Sequence, residues 1–281
     1  MHYKLKYNNF DLYHTLMSGQ TFEWNYDKSA DLWTGNIYGN LLKIKQIGYK
    51  DSGHLEYESE KELEKEITNY FSLDLDYDFL IRQIVFDKYI QATMQNLYGL
   101  RIIRQDPWYC INSFILSSNN TVKNIQNILT NISKKYSTNT IFFPSFEIVK
   151  KITVEELREC KAGFRAQYLK NFYNELEKES QFIEILKSLD YESTKNKLKY
   201  IKGIGEKIAD CILLYSFDKY EAYPIDTHLR QITLDCYFAS EEKKPTDKEL
   251  RIWAKNYWGN MAGFAHFFLF THHRLYGEIK I

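Results

Sequence analysis

The pattern of apolar and polar positions changes once along this chain. Up to about residue 57, short apolar runs at residues 21–24, 32–38 and 41–44 are separated by Asp, Ser, Asn and Gly, which is typical of strands joined by tight turns. From about residue 59 the period becomes helical, with apolar side chains four residues apart between Leu63 and Phe71. We therefore expect an α+β protein in which an antiparallel β-sheet comes first and helices follow.

The helical pattern continues toward the C-terminus. Apolar residues recur at helical spacing over residues 81–100, 108–116, 125–136, 153–160, 165–177 and 182–189, and further helices follow. We place the division between the two regions near residues 95–105. Residues 1–100 then form a sheet domain with flanking helices, and residues 101–281 form an α-helical region.

The overall composition is consistent with two apolar cores. The chain has 281 residues, of which 44% are hydrophobic. It has no run of about 18 apolar residues that would span a bilayer, and its first residues lack the apolar segment of a signal peptide. We expect a cytoplasmic monomer that does not contact membranes and that is nucleoid-associated if the source is prokaryotic.

The net charge is zero, which argues against nonspecific coating of nucleic acid but allows a local basic surface. Lysines are concentrated in one stretch, at Lys195, Lys197, Lys199 and Lys202. Taken alone, such a stretch more commonly forms the solvated face of a helix.

The four cysteines are far apart in the sequence and form no Cys-x-x-Cys pair. They are Cys110, Cys160, Cys211 and Cys236. This spacing indicates reduced thiols rather than disulfides or zinc ligands, and we predict neither a metal site nor a cofactor.

The most informative segment begins with the turn Gly203-Ile204-Gly205, which lies inside a helix-hairpin-helix pattern at about residues 192–216. Glycine permits positive φ and has no Cβ, so the backbone N–H groups of this turn can approach a phosphate closely. We expect the second helix of the pair to begin near Glu206.

Lys207 stands in the first turn of this second helix. Helical spacing places Lys207 and Cys211 on one stripe, while Ile208, Ile212 and Tyr215 form another stripe that faces the core. A lysine is a nucleophile only as the free amine, which requires partial burial or nearby positive charge. Spacing alone favours an ordinary surface lysine at a helix start.

Asp226 follows Pro224 and precedes Thr227, which is the arrangement expected of a helix N-cap. A capping role alone explains this residue. A carboxylate fixed by capping is also pre-oriented toward positive charge that develops on a sugar. A direct salt bridge to Lys207 would instead oppose nucleophilicity, because it favours the protonated amine.

Together, these residues resemble the helix-hairpin-helix DNA glycosylases and, in detail, the 8-oxoguanine DNA glycosylase family. Besides the hairpin, Lys207 and Asp226, the similarity includes five segments in the family order: residues 18–24, 104–107, 114–120, 162–166 and 263–270. The resemblance implies an enzyme that flips a damaged nucleotide out of duplex DNA containing 8-oxoguanine. Lys207 would attack C1′ and form a Schiff base that can proceed to β-elimination, and Asp226 would stabilise charge at the sugar.

The resemblance also assigns residues that hold the DNA backbone and recognise the base. The residues that would contact the DNA backbone are Gly203, Gly205, Thr227 and His228. Those that would contact the damaged base are Gly19, Cys211, His266 and Phe270. The Gly19 carbonyl would accept the N7–H that distinguishes 8-oxoguanine from guanine, and Cys211 and Phe270 would sandwich the base. On spacing alone, His228 fits a surface histidine of the capping turn equally well, and Phe270 fits core packing.

At the position of His266 the better-known family members carry glutamine, which hydrogen-bonds to the Watson–Crick edge of the extruded base. A neutral imidazole accepts one hydrogen bond and donates one but cannot present the geometry of an amide. The sequence therefore predicts altered base reading at this position and a pH effect near neutrality.

The resemblance also assigns Asn119, Phe164 and Arg165 to the gap that the extruded nucleotide leaves in the duplex and to the unpaired base on the opposite strand. Phe164 would act there as an apolar wedge. Family members that are strict for cytosine carry a second arginine where this chain has Asn124. Losing a charged, multidentate donor weakens discrimination by about 1 to 3 kcal/mol, so we predict a looser choice of opposite base.

Some relatives of this hairpin family carry an iron–sulfur cluster on four closely spaced C-terminal cysteines, and no cysteine follows Cys236. Two alternatives to an 8-oxoguanine glycosylase stay open at this stage. One is a glycosylase for another damaged base, and the other is a noncatalytic hairpin protein that binds only the DNA backbone.

Overall fold

In the computed structural model, which describes residues 1–137 and 142–281, the chain begins with an antiparallel sheet of five strands. These are β1 (His2–Asn8), β2 (Asn25–Asp27), β3 (Leu32–Ile37), β4 (Asn40–Gly48) and β5 (Ser52–Glu58), in the spatial order β1-β5-β4-β3-β2. The register pairs Leu5 with Leu55 and Ile44 with Tyr57, so alternate apolar side chains face one side of the sheet. The predicted antiparallel sheet is confirmed.

The prediction of a strand at residues 21–24 is wrong, because the strand in this region is Asn25–Asp27. The apolar side chains of this run fill space inside the protein instead of alternating across a sheet. The Trp24 indole donates to the Tyr70 hydroxyl at 2.9 Å. Its ring lies directly against Gly35, where any Cβ would meet ring atoms at 2.4 Å.

Helices make up most of the remaining described chain. They are α1 (Leu12–Met17), α2 (Glu64–Tyr70), α3 (Tyr77–Arg82), α4 (Lys88–Leu97), α5 (Pro107–Leu116), α6 (Val122–Tyr136), α7 (Phe146–Val149), α8 (Val154–Glu159), α9 (Arg165–Lys178), α10 (Phe182–Ser188), α11 (Tyr191–Lys199), α12 (Glu206–Ser216), α13 (Thr227–Tyr237), α14 (Asp247–Trp258) and α15 (Ala262–Tyr276), with a 3₁₀ turn at Gly259–Met261. None of the helices in this part of the chain has the length and apolar content needed to cross a membrane.

The helix predicted over residues 81–100 is interrupted. Asp87 separates α3 from α4, and its carboxylate accepts hydrogen bonds from the N–H groups of Tyr89 and Ile90 at 2.8 and 2.9 Å. This is an N-cap, which starts a new helix instead of continuing the old one.

Two clusters of buried apolar residues support this α+β architecture. The first lies between the sheet and α2, and the second fills the helical region. Ile90 and Leu97 of α4 pack in the second cluster, and so does Phe22. In the second cluster, Phe114 of α5 stacks on Tyr215 of α12 with ring centroids 5.6 Å apart, which fixes α12 against the centre of the helical region. The proposed division near residue 100 stays a prediction.

Candidate active site

The hairpin joins α11 to α12 through a tight turn. Gly203 has φ +113°, and a Cβ there would lie 2.3 Å from the Tyr168 ring, so both conformation and space require glycine. Gly205 is the exposed N-cap residue of α12, and nothing described lies within 4 Å of the position where its Cβ would be. The turn therefore presents open backbone at a helix N-terminus, where an anion binds favourably.

Charged residues behind the turn hold α12 in place. Asp210 is fully buried and pairs with Lys195 of α11 at 2.9 Å and with Arg251 of α14 at 3.2 Å. Lys195 also pairs with Glu206 at 2.8 Å. These contacts fix the first turn of α12, which carries Lys207.

Lys207 is half-buried and its Nζ lies 5.7 Å from the centroid of the Phe114 ring. One helical turn later, Cys211 is buried, which raises the pKa of its thiol, and the nearby Lys207 opposes this rise. The predicted stripe of Ile208, Ile212 and Tyr215 is buried in the core, as expected. Among residues 1–137 and 142–281, no carboxylate forms an ion pair with Lys207.

Asp226 is the N-cap of α13, and its carboxylate accepts a hydrogen bond from the Leu229 N–H at 2.8 Å. The predicted capping role is confirmed. The side chain is half-buried, while Thr227 and His228 beside it are exposed at the start of the helix. Asp226 acts electrostatically on both Cys211 and His266, which places the four groups of Lys207, Asp226, Cys211 and His266 in one neighbourhood.

One cleft of about 1140 Å³ brings most of the predicted site together. The predicted residues that line it are Gly19, Asn119, Gly203, Gly205, Lys207, Asp226, Thr227, His228 and Phe270. The cleft therefore combines an amine, a carboxylate, an aromatic ring and two helix N-termini, those of α12 and α13. Within the described residues, no cluster of His, Cys, Asp or Glu has the makeup of a metal site.

Cys211 and His266 lie behind the wall of the cleft. Burial raises the pKa of the Cys211 thiol to about 11, although the nearby Lys207 opposes this, so the thiol is neutral at physiological pH. His266 stacks on Phe270 with ring centroids 5.7 Å apart. It is therefore placed to orient the Phe270 ring.

We expected the protonation of His266 to change near neutral pH, and this prediction is wrong. Burial lowers the pKa of this imidazole to about 4, and Lys207 lowers it further while Asp226 opposes the shift. The ring is therefore neutral throughout the neutral pH range.

This buried imidazole predicts a pH dependence of stability. Because its pKa is lower in the folded protein than in the unfolded chain, the unfolded state binds the proton first, and stability falls as the pH drops from about 6.5 toward 4. Between pH 7 and pH 5 the wild type is expected to lose up to roughly 2 kcal/mol more unfolding free energy than His266→Gln. Urea denaturation of both proteins at the two pH values measures this difference. Equal losses in both proteins would contradict it.

The residues predicted to face the opposite strand lie around one turn. Phe164 is half exposed, and its ring lies 4.4 Å from the guanidinium carbon of Arg165. Arg165 is mostly buried and donates to the carbonyls of Ser118 and Asn119 at 2.7 and 2.5 Å. Asn119 is exposed with φ +47°, so Arg165 supports the turn that presents it.

Gly19 is held by an adjacent glutamine whose role the sequence did not reveal. Gln20 is buried, and its amide nitrogen donates to the carbonyls of Thr15 and Arg101, each at 3.0 Å. Its amide oxygen accepts from the Ile103 N–H at 2.8 Å. The side chain thus ties the Gly19 turn to the chain that links the two cores.

Sequence reasoning gave no role to four further cleft residues, although two of them, Phe22 and Phe114, lie in segments that carry the family resemblance. Phe22, Phe114, Tyr168 and Arg274 all line the cleft. Tyr168 packs edge-on against Phe164 with ring centroids 5.6 Å apart, so it connects the predicted wedge residue to the hairpin turn. The helical spacing of Arg274 after Phe270 could have indicated that residue as well.

Models of two known protein families match most of the chain. The family model for the N-terminal domain of 8-oxoguanine DNA glycosylase matches residues 2–111, and that for the HhH-GPD superfamily of base excision DNA repair proteins matches residues 112–255. The N-glycosylase/DNA lyase OGG1 of Arabidopsis thaliana is 27% identical over 250 residues, which cover 82% of this chain and 67% of that protein. A probable N-glycosylase/DNA lyase of Methanothermobacter thermautotrophicus is 28% identical over 249 residues, covering 78% and 77%.

Among solved structures, the 8-oxoguanine glycosylase/lyase of Clostridium acetobutylicum superimposes with a TM-score of 0.86 and 29% identity. The match covers 95% of this chain and 92% of that one. The Clostridium protein was crystallised with double-stranded DNA containing cytosine opposite 8-oxoguanine.

Proposed function

Because this chain belongs to the HhH-GPD superfamily of base excision DNA repair proteins, we propose that it is a bifunctional 8-oxoguanine DNA glycosylase and lyase with relaxed selection of the opposite base. The observation that carries this proposal is the presence of Lys207 and Asp226 in one cleft with the hairpin turn and Phe270. A protein that only binds the DNA backbone needs neither an amine nor a carboxylate there.

Lys207 is the nucleophile of the proposed reaction. Its Nζ lone pair attacks C1′ of the extruded nucleotide, the C1′–N9 bond breaks, and the base leaves with the bonding electrons and takes up a proton. Nζ then loses its remaining proton and O4′ takes one up as the C1′–O4′ bond breaks, which opens the sugar ring and gives a Schiff base between Nζ and C1′. Loss of a C2′ proton expels the 3′ phosphate, and water hydrolyses the imine and regenerates the amine.

The surroundings of Lys207 favour its amine, and not the neighbouring Cys211 thiol, as the nucleophile. Cys211 stays protonated because burial raises its pKa to about 11, and the reactive form of cysteine is the thiolate. Asp226 is fixed by its N-cap hydrogen bond and lines the cleft without pairing to Lys207. Its carboxylate is therefore available to stabilise the positive charge that develops on the sugar.

DNA backbone contacts are assigned to the two helix N-termini on the cleft. Gly205, Thr227 and His228 are exposed there, and the free N–H groups of a helix start bind phosphate oxygens. The proposed partner is a DNA duplex with one extruded nucleotide, because C1′ is hidden in an intact duplex. The monomeric state and the cytoplasmic location stay predictions.

Borohydride trapping on defined duplexes tests the proposed function. With a duplex containing one 8-oxoguanine, reduction of the Schiff base is expected to give a covalent protein–DNA adduct. An adduct formed only with another damaged base would favour a glycosylase of different specificity. Salt-sensitive binding without any adduct would favour a noncatalytic protein.

The looser choice of opposite base is attributed to Asn124. Its side chain donates to the Asn120 amide oxygen at 2.7 Å, so this neutral amide is already engaged within the turn. Introducing an arginine supplies a charged, multidentate donor for cytosine.

Asn124→Arg is therefore expected to raise the preference for cytosine about tenfold to hundredfold. Single-turnover excision from four duplexes, each with a different base opposite 8-oxoguanine, measures this preference. Asn127→Arg is the matched control, because it adds the same charge at an exposed position farther along α6. A wild type that already strongly prefers cytosine would contradict the assignment.

A further inference from the structure

Arg274 continues the face of α15 that carries the base-recognition residues. His266, Phe270 and Arg274 are spaced four residues apart, which places them on one side of the helix. Phe270 and Arg274 both line the cleft, as does Gly19. Arg274 thus stands beside the proposed base pocket.

The guanidinium lies against the backbone of Gly19. A Cβ on Gly19 would be 3.2 Å from Cζ, 3.3 Å from Nε and 3.4 Å from Nη1 of Arg274. Gly19 also has φ +88°, a conformation that side-chain-bearing residues rarely adopt. Glycine at this position therefore lets the guanidinium come close to the turn.

Most donors of this solvent-exposed guanidinium have no partner within the described protein. Nε donates to the Met17 carbonyl at 3.3 Å, and within residues 1–137 and 142–281 neither Nη atom has a hydrogen-bond partner and no carboxylate pairs with the group. An arginine has five N–H donors and stays charged, so four donors remain beside Gly19.

The chemistry of the lesion supplies an acceptor at this place. 8-Oxoguanine differs from guanine in two neighbouring groups, an N7–H donor and the O8 carbonyl. If N7–H donates to the Gly19 carbonyl, O8 lies on the adjacent ring atom and faces the same turn. Leaving a buried carbonyl without a donor costs about 1 to 3 kcal/mol.

We propose that Arg274 donates a hydrogen bond from its free Nη groups to O8 of the extruded base and so reads the second atom that distinguishes the lesion. This inference rests on the proposed function, since it concerns the same pocket. Guanine has only C8–H at this position, so it gains no such hydrogen bond.

The test compares two bases in the same duplex. 8-Thioxo-7,8-dihydroguanine keeps the N7–H donor but places sulfur, a weaker acceptor, at position 8. Wild type is expected to excise 8-oxoguanine about tenfold faster than the sulfur analogue under single-turnover, subsaturating conditions. In Arg274→Met, which removes the donors but keeps an unbranched apolar side chain, excision of 8-oxoguanine is expected to fall about tenfold or more while the oxygen-to-sulfur ratio falls to near one.

A purely structural role predicts a different result. If Arg274 only supports the turn through Met17, Arg274→Met lowers excision of both bases equally and leaves the ratio unchanged, which overturns the proposal. Arg274→Lys keeps a charged donor and is expected to retain the ratio within about threefold. If the methionine variant does not fold, the wild-type ratio decides, because a ratio near one overturns the proposal. Failure of wild type to excise 8-oxoguanine at all would overturn the proposed function instead.

Discussion

Replacing Lys207 with glutamine is expected to abolish both the borohydride-trapped adduct and base excision, with a loss of about 10³-fold or more in the single-turnover rate. Glutamine is close to lysine in length and polarity but has no nucleophilic lone pair on its amide nitrogen. The side chain is half-buried over Phe114, so the substitution fits the same space. Gel electrophoresis after reduction measures the adduct, and release of the base measures excision.

Lys202→Gln is the matched control for this experiment. Lys202 is exposed in the same hairpin but does not line the cleft, so the substitution removes an equal charge without removing the proposed nucleophile. This control is expected to keep the adduct and to weaken DNA binding only modestly, mainly at low salt. An adduct that persists in Lys207→Gln would show that another amine performs the chemistry.

Local sequence patterns were sufficient to predict the elements that carry the chemistry. The start of α12 and the burial of Ile208 and Ile212 follow from helical periodicity and the glycine turn. The capping role of Asp226 follows from its position after a proline and before a helix. Such features depend on neighbours a few residues apart, so the sequence displays them directly.

Contacts between distant segments were not visible in the same way. The apolar pattern at residues 21–24 predicted a strand, but tertiary packing places Trp24 on Tyr70 instead. The Gly19 turn depends on Gln20, whose amide reaches the chain at Arg101. Neither partner can be deduced from spacing, because the fold alone brings these segments together.

The role of Asp226 can be separated from its capping function by one substitution. Asparagine caps a helix as well as aspartate but carries no charge. Asp226→Asn is therefore expected to keep the unfolding free energy within a few tenths of a kcal/mol, while excision falls about 10²- to 10³-fold because the developing sugar cation loses its carboxylate. Urea denaturation and single-turnover excision measure the two effects.

Asp226→Ala provides the comparison, since it removes the charge and also the hydrogen bond to the Leu229 N–H. Asp226→Ala is expected to lose about 1 kcal/mol of unfolding free energy. Its excision rate is expected to fall by the same factor as in Asp226→Asn. If Asp226→Asn excised 8-oxoguanine at the wild-type rate, the carboxylate would serve α13 alone and the charge on the sugar would require another stabilising group. Loss of excision without loss of stability, by contrast, assigns the negative charge itself to the reaction, because the asparagine variant changes little else at this helix start.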